Sequence, residues 1–244
     1  MSRRFGLSGA ALKILECVLM LVDHIGAKLF PQYAVLRLIG RLAFPIFAFC
    51  IAEGCRYTRN KGKHFALIFG FGIVWEGILI WYYGGWEGNI FLTFSLSVAL
   101  IYLWQWIKKK WYIGGVWRGC VWLLLYAVAI LAVWQLTKRL HFEYRLFGIL
   151  AAPMTALFDY KKGEAPRWMK RVDCLPVKLL LLSAALFLIA LPTLGRTVQV
   201  YALLAIPVLA LYNGTAGNRR LKYAFYIFYP AHLIIIGLIR EWMY

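Results

Sequence analysis

Long apolar stretches dominate the sequence, each near the length at which a helix crosses a membrane. A hydrocarbon core of about 30 Å needs about 20 mostly apolar residues in helical conformation. The stretches predict an all-α fold, a polytopic integral membrane helical bundle of about nine transmembrane helices in a single domain over residues 1–244. They lie at 10–30, 34–55, 64–83, 89–107, 116–137, 145–159, 177–195, 197–212 and 221–243. The sixth and eighth are short for a membrane span.

The composition excludes an ordinary soluble domain. The chain is 63% hydrophobic and 16% charged, whereas soluble domains are about 45–50% apolar and about 25% charged. The formal net charge is +18, but no stretch interleaves cations with stacking aromatic residues as nucleic-acid-binding modules do. We therefore expect a lipid bilayer, and no nucleic acid, among the partners of this chain.

The cations concentrate in every second loop, which is the pattern of the positive-inside rule. The basic loops include Arg3 and Arg4 and lie at 56–63, 108–118, 161–171 and 219–222. The alternate loops are poorer in cations, as around Glu87. This alternation predicts a multi-pass protein with its N-terminus in the cytoplasm. Lys138, Arg139 and Arg145 are an exception, because the alternation would put them outside.

The five cysteines give no sign of a disulfide framework or of a metal site. They are Cys17, Cys50, Cys55, Cys120 and Cys174, and they form no CxxC or other ligand spacing. We expect four of them to be small residues inside the spans or at their ends, and we expect no metal.

Charged residues inside the first two spans are the strongest functional signal. A charge at membrane depth costs about 2.5–3.5 kcal/mol on insertion scales and usually marks a paired or functional group. Asp23 and His24 are adjacent in span one, whereas Arg37 and Arg41 lie one turn apart on one face of span two. Pro45 removes the hydrogen bond to the carbonyl of Arg41 and predicts a kink there.

Two interpretations of this cluster remain open. In the first, a buried Asp–Arg ion pair stabilises the helix interface and His24 is an interfacial side chain. In the second, His24 is a general base, because an unperturbed pKa near 6.5 suits proton transfer at neutral pH. Adjacent helical residues point about 100° apart, so Asp23 and His24 are not expected to face one substrate together.

The cations after span two are candidates for binding phosphate. Arg56, Arg59 and Lys61 follow the span closely, and guanidinium groups bind phosphate oxygens bidentately. The positive-inside rule alone would also explain them, and Glu53 could pair with Arg56 at i, i+3.

A turn-rich segment after span eight is a second candidate for contact with an anion. Asn213, Gly214, Gly217 and Arg219 lie in it, and small residues let backbone N–H groups approach an anion closely. A tight turn between spans is the simpler interpretation.

Span nine repeats the combination of a proline and a polar group. Pro230 frees the carbonyl of Tyr226, and Tyr229 and His232 are nearby. Two histidines and two proline breaks, each break near a polar group at membrane depth, indicate a lined cavity among the spans.

The chain resembles the TraX family at several stretches that occur in the family's order. They are MLVDHIG at 20–26, RLIGRLAFPIFAFCIAEGCRYTRN at 37–60, NIFLTF at 89–94, YNGTAG at 212–217 and FYIFYPAHL at 225–233. The family is named for a conjugative-plasmid protein required for N-acetylation of pilin. The resemblance implies a membrane-embedded acyltransferase of the bacterial inner membrane, distantly similar to enzymes that move acetyl groups across membranes.

The middle of the chain departs from the family. Glu143–Tyr144–Arg145 stands where the family tends to show Asp-Tyr-Gly. If that stretch contacts the acceptor, this protein acetylates something other than pilin.

The resulting hypothesis is acetyl transfer from acetyl-CoA to an amine or hydroxyl acceptor, such as a small membrane protein or an envelope glycan. His24 would be the base, oriented by Asp23 or an arginine, and Arg41 would stabilise the oxyanion or the buried Asp23. Residues expected to bind CoA phosphates are Arg56, Arg59, Lys61, Asn213, Gly214, Gly217 and Arg219. Residues expected to contact the acceptor are Arg37, Tyr229 and His232.

Two other functions remain open at this point. A secondary transporter also uses buried charges and broken helices near the bilayer midplane, although no inverted repeat relates the two halves of this sequence. A non-catalytic factor that escorts a small membrane protein such as a pilin would need partner contact but neither His24 nor Arg41.

Overall fold

The structure, a computed structural model, describes residues 5–160, 171–193, 198–218 and 222–243. The elements in these residues are all helical, which confirms the all-α prediction for that part of the chain. The α-helices are α1 Gly9–Lys28, α2 Ala34–Gly40, α3 Ala43–Tyr57, α4 Lys61–Tyr83, α5 Ile90–Arg139, α6 Arg145–Thr155, α7 Leu175–Ala190, α8 Ala205–Ala210 and α9 Lys222–Met243. Two 3-10 helices cover Leu191–Thr193 and Val198–Leu204.

The helices are those of a membrane protein. Four segments of the described residues are long and apolar enough to cross a bilayer: Ala34–Tyr57, Lys61–Tyr83, Ile90–Trp111 and Trp117–Arg139. Three further apolar helices, at Arg145–Thr155, Leu175–Ala190 and Val198–Ala210, are shorter. The prediction of nine spans is thus confirmed only for four segments, and the cytoplasmic N-terminus stays a prediction.

The chain divides into two compact units. The first contains residues 1–50 and 186–244, and the second contains residues 51–185. Helix α3 runs through the boundary between these ranges.

In the first unit, α1 packs against α2 and α9, and α2 packs against the 3-10 helix Val198–Leu204. Ser8 caps the N-terminus of α1 by accepting a hydrogen bond from the backbone N–H of Ala11. A parallel bridge joins Leu7 to Tyr212. It ties the start of α1 to the segment that follows α8.

The predicted kink at Pro45 is a helix break. Helix α2 ends at Gly40, Arg41 and Leu42 form a turn, and α3 begins at Ala43. Pro45 lies in the first turn of α3, where a missing N–H costs nothing because the first four amides have no partner within the helix. The single predicted span 34–55 is therefore two helices.

In the second unit, α5 folds back on itself. Trp104 and Tyr126 would lie about 33 Å apart along a straight helix at 1.5 Å per residue. Their ring centroids are 5.1 Å apart, and those of Trp106 and Trp122 are 4.6 Å apart. The range Ile90–Arg139 thus contains two antiparallel helical limbs, which agrees with the two predicted spans at 89–107 and 116–137.

A buried carboxylate holds the connection between α4 and α5. Glu76 of α4 is 2% exposed. It accepts hydrogen bonds from the backbone N–H groups of Glu87, Gly88 and Asn89 at 2.7–3.0 Å. It also accepts one from the side-chain amide of Asn89 at 2.7 Å. Asn89 in turn caps the N-terminus of α5.

Candidate active site

Asp23 lies between two guanidinium groups in the first unit. Nη1 of Arg37 donates to Oδ2 of Asp23 at 2.6 Å, and Nη2 of Arg41 donates to both carboxylate oxygens at 2.9 and 2.7 Å. Nη1 of Arg41 also reaches Oε1 of Gln199 at 3.3 Å. The structure therefore brings Asp23, Arg37 and Arg41 together, as their spacing suggested. Two cations and one carboxylate leave the cluster a net charge of +1.

The close approach of α2 to α1 depends on a glycine beside Asp23. A Cβ added at Gly40 would lie 2.3 Å from Cβ, 2.4 Å from Oδ1 and 2.6 Å from Cα of Asp23. Such distances are too short for any real contact between these atoms. A side chain at this position must therefore push α2 away from α1 or displace Asp23 from the arginines.

We predict that Gly40→Ala lowers the free energy of unfolding by about 1–3 kcal/mol, as overpacking in a core does. Thermal unfolding in detergent measures the change. Gly77→Ala in α4 is the matched control, because a Cβ there meets nothing within 4 Å and a helical alanine is favoured over glycine by about 0.5–1 kcal/mol. Equal stability of the two variants would contradict the proposed contact.

His24 contacts His232 across the interface of α1 and α9. Nε2 of His232 lies 3.1 Å from Nδ1 of His24, and His232 is 4% exposed. Nδ1 of His24 also lies 2.9 Å from the carbonyl oxygen of Met20, and Nδ1 of His232 lies 2.8 Å from that of Phe228. As expected for adjacent helical residues, Asp23 faces α2 while His24 faces α9.

Tyr229 and Phe228 surround His232. The ring of Tyr229 meets that of His232 edge-on at 5.6 Å, and the ring of Phe228 stacks on it at 4.9 Å. Tyr229 is itself 5% exposed. The aromatic contacts and the carbonyl of Phe228 hold the imidazole of His232 in one orientation.

The segment after α8 packs against the start of α1. The backbone N–H groups of Gly9 and Ala10 donate to the carbonyls of Thr215 and Ala216 at 2.7 and 3.0 Å. Oδ1 of Asn213 accepts from the N–H and the hydroxyl of Thr215. These contacts are those of a tight turn.

Two glycines shape this turn, with φ +75° at Gly214 and φ +70° at Gly217. A Cβ at Gly217 would lie 2.6 Å from Oγ of Ser8. Gly217 is therefore required for close packing against the cap of α1. Arg219 lies outside the described residues.

In the second unit, Arg56 has carboxylate partners. Its Nη1 and Nη2 donate to the two oxygens of Asp173 at 2.7 and 2.8 Å, and Nη1 lies 3.3 Å from Oδ1 of Asp159. This bidentate geometry is the one expected for phosphate, but a carboxylate occupies it. Glu53, which the i, i+3 spacing suggested as a partner of Arg56, forms an ion pair with Lys178.

Lys178 joins this network and was not predicted from the sequence. Its Nζ contacts Glu53 and lies 2.6 Å from Oδ1 of Asp159. Lys108 donates to the carbonyl oxygens of Leu157 and Asp159 at 3.1 and 2.6 Å. Burial raises the pKa of Asp159, and the charges of Lys178 and Arg56 oppose that rise.

The two ends of the segment 159–173 are largely buried. Asp159 is 5% exposed, and the side chain of Asp173 is 9% exposed. Both are anchored on Arg56. Residues 161–170 lie outside the described part of the chain.

The other predicted phosphate ligands, Arg59 and Lys61, have different surroundings. Arg59 is exposed beside Asn60, which caps α4. Nζ of Lys61 lies 5.1 Å from the ring centroid of Tyr102, and the hydroxyl of Tyr102 lies 2.6 Å from Nδ1 of His64. Among the residues described, no group of three or more His, Cys, Asp or Glu side chains could hold a metal ion.

Comparison with known proteins adds a family and two relatives. A family model described as TraX protein matches residues 8–240. A probable fimbrial assembly protein, FimC of serogroup H1 from Dichelobacter nodosus, is 26% identical over 261 residues, covering 97% of this chain and 97% of the relative. The uncharacterized protein RP591 of Rickettsia prowazekii (strain Madrid E) is 39% identical over 59 residues, covering 24% of this chain and 23% of the relative. No solved structure matches the chain.

Proposed function

Because the chain belongs to the TraX family, we propose that it is a membrane-embedded acetyltransferase acting on a small membrane protein such as a pilin, or on an envelope glycan. The acetyl group comes from acetyl-CoA on the cytoplasmic side of the bacterial inner membrane. A relative that is named as a fimbrial assembly protein and matches over nearly its full length supports a role in pilus assembly. The observation that carries the proposal is the contact between His24 and His232 beside the charged cluster of Asp23.

The hydrogen bonds of the two histidines indicate which nitrogen can act as a base. Nδ1 of His232 faces a carbonyl oxygen and therefore carries a proton, which makes its Nε2 an acceptor when the ring is neutral. Nδ1 of His24 faces that Nε2 and the carbonyl oxygen of Met20, both acceptors. It therefore carries a proton too, and the lone pair of a neutral His24 is on Nε2.

In the proposed reaction, Nε2 of His24 removes a proton from the acceptor amine or hydroxyl. The freed electron pair attacks the carbonyl carbon of the thioester, and the tetrahedral intermediate collapses as the carbon–sulfur bond breaks. CoA leaves as a thiolate and takes up the proton held by His24. His232 is a positioning residue, because its lone pair keeps the proton of His24 on Nδ1.

The charged cluster of Asp23, Arg37 and Arg41 stabilises the negative charge of the oxyanion. Its net charge of +1 lies next to His24 in the chain, and preorganised positive charge stabilises an oxyanion most effectively where water is excluded. The side chain of Arg41 is 12% exposed and that of Arg37 is 33% exposed. Arg41 is therefore the better candidate for the oxyanion and Arg37 for contact with the acceptor.

The proposed binding region for the CoA phosphates includes the basic segment that follows α3. Arg59 and Lys61 remain candidates, together with Arg219. Arg56 would have to leave Asp173 to bind a phosphate, so we propose that it organises the second unit instead.

The test is release of CoA thiol from acetyl-CoA by the purified protein in detergent, with an amine acceptor present. We predict that His24→Ala lowers the rate by about 10²–10⁴-fold, the usual contribution of a general base. His141→Ala is the matched control, because His141 is an exposed histidine of the second unit. An undiminished rate in His24→Ala would eliminate the proposed base.

A second candidate is a non-catalytic assembly factor, which the printed name of the Dichelobacter relative favours. Such a factor would support pilus assembly in cells whether or not His24 is intact. Full assembly by His24→Ala, in cells that lack the native protein, would favour this alternative over the enzyme.

A further inference from the structure

Helix α1 carries a buried carboxyl group that the proposed reaction does not use. Glu16 is 2% exposed, and its Oε2 has no hydrogen-bond partner among the residues described. Its side chain hydrogen-bonds Cys50 of α3. The other titratable groups near it are Lys13 and Cys17 of α1.

An ionised carboxylate in this position would be very costly. Transfer of an unpaired charge into an apolar interior is avoided by neutralisation of the group. Asp23, by contrast, has two guanidinium partners, whereas within the described part of the chain no ion pair forms at Glu16. The surroundings of Glu16 therefore favour the protonated acid.

Glu16 precedes His24 on α1 by just over two turns, with Met20 between them. Eight residues turn the helix by about 800°, so the side chains of Glu16 and His24 point about 80° apart around its axis. The eight residues between Glu16 and His24 span about 12 Å of helix axis. That distance is too long for direct proton transfer and short enough for a chain of a few water molecules.

We propose that Glu16 is a proton relay for His24, a role that rests on the proposed acetyl transfer. An acceptor that arrives as an ammonium ion brings two protons to be removed. One returns to the CoA thiolate through His24, and the other must leave the site. Glu16 releases its own proton toward the N-terminal end of α1 and is reprotonated by the His24 imidazolium, which returns to neutral imidazole. No bond other than those to the transferred protons changes.

The first experiment measures whether Glu16 is protonated and needs no activity assay. Dicyclohexylcarbodiimide reacts with protonated carboxyl groups in apolar surroundings, so we expect it to label the purified protein at Glu16 at neutral pH. Glu16→Gln should lose the label, and Glu241→Gln, at an exposed position, should keep it. An unlabelled wild-type Glu16 would overturn the relay.

The second experiment measures the effect of Glu16 on proton transfer. Glu16→Gln replaces a neutral acid by a neutral amide of similar shape, so the melting temperature should be unchanged. The transfer rate to an amine should fall about 10-fold or more, should lose its wild-type pH profile, and should recover when formate is added as a mobile proton carrier. A wild-type rate in Glu16→Gln would overturn the relay while leaving acetyl transfer intact. Loss of transfer in the wild type itself would remove the proposed function, and the relay with it, whatever the labelling shows.

Discussion

Replacing Lys178 by methionine should lower the free energy of unfolding by about 3–5 kcal/mol, the cost of removing one partner of a buried ion pair. Lys178 is the shared cation of Glu53 and Asp159, and its side chain is 7% exposed. Methionine keeps most of the side-chain volume but leaves two buried carboxylates without their nearest cation. The loss is measured by thermal or denaturant unfolding in detergent.

The pH dependence of this variant gives a second readout. Burial raises the pKa of Asp159, and Lys178 opposes that rise. Without Lys178, the pKa of Asp159 in the folded state should rise further above its unfolded value. The folded state then binds more protons than the unfolded state, so stability increases as the pH falls. The loss in free energy of unfolding caused by Lys178→Met should therefore be smaller at pH 5 than at pH 8. At pH 8 the protein either keeps an ionised Asp159 buried or unfolds.

Lys109→Met is the matched control for this prediction. Lys109 is an exposed lysine of α5 in the same unit, and surface substitutions usually change stability by less than about 0.5 kcal/mol. If Lys178→Met were as stable as Lys109→Met, the buried network would have no role in holding the helices of the second unit together.

Replacing Glu76 by glutamine should cost about 2–4 kcal/mol, because hydrogen bonds to a charged group contribute about 1.5–3 kcal/mol and a buried donor left unsatisfied costs about 1–3 kcal/mol. The carboxylate accepts from three consecutive backbone N–H groups and from the amide of Asn89. Glutamine keeps one acceptor oxygen but directs its NH₂ group against these donors. The connection between α4 and α5 should loosen, and hydrogen exchange at Gly88 and Asn89 should accelerate.

Glu87→Gln tests whether loss of charge alone explains this result. Glu87 lies in the same connection but is exposed. Its substitution should leave both the melting temperature and the exchange of Gly88 unchanged. Matching losses in the two variants would mean that net charge, and not the cap formed by Glu76, determines stability here.

Pairing between the first two spans could be predicted because it follows from local rules. Arg37 and Arg41 lie one turn apart, so both can contact a single carboxylate on a neighbouring helix, and Asp23 is that carboxylate. Adjacent residues diverge by about 100° on a helix, which separates the contacts of His24 from those of Asp23. The contact of His24 with His232, 208 residues away, does not follow from such rules, because the histidines and the proline breaks predict only a lined cavity.

The network of buried charges around Arg56 and Lys178 in the second unit could not be derived from such local rules. Lys178 and Glu53 are 125 residues apart, and no periodicity links them. The available signal was the cost of a charge in an apolar helix, which applies equally to Glu16, Glu76 and Lys178. That rule marks each residue as paired or protonated but does not identify the partner. The prediction that Arg56 binds phosphate is an example of this limit. The bidentate geometry of its guanidinium group suits the carboxylate of Asp173 equally well.

The break between α2 and α3 could be predicted only in part from the sequence. Pro45 predicts an interruption, but the sequence does not distinguish a kink from two helices. The close contact of Gly40 with Asp23 and the turn at Arg41 favour the break, because they hold Arg41 at the end of α2 with its side chain on Asp23.

The most direct test of the account follows a labelled acetyl group from acetyl-CoA to the acceptor. The purified protein, an acceptor membrane protein with a free N-terminal amine and acetyl-CoA are combined in lipid vesicles, and the acceptor is analysed by mass spectrometry. We predict acetylated acceptor with the wild type and with His141→Ala, and at most a trace with His24→Ala. Equal acetylation by His24→Ala, or none by a folded wild-type protein that still supports pilus assembly in cells, would contradict the account.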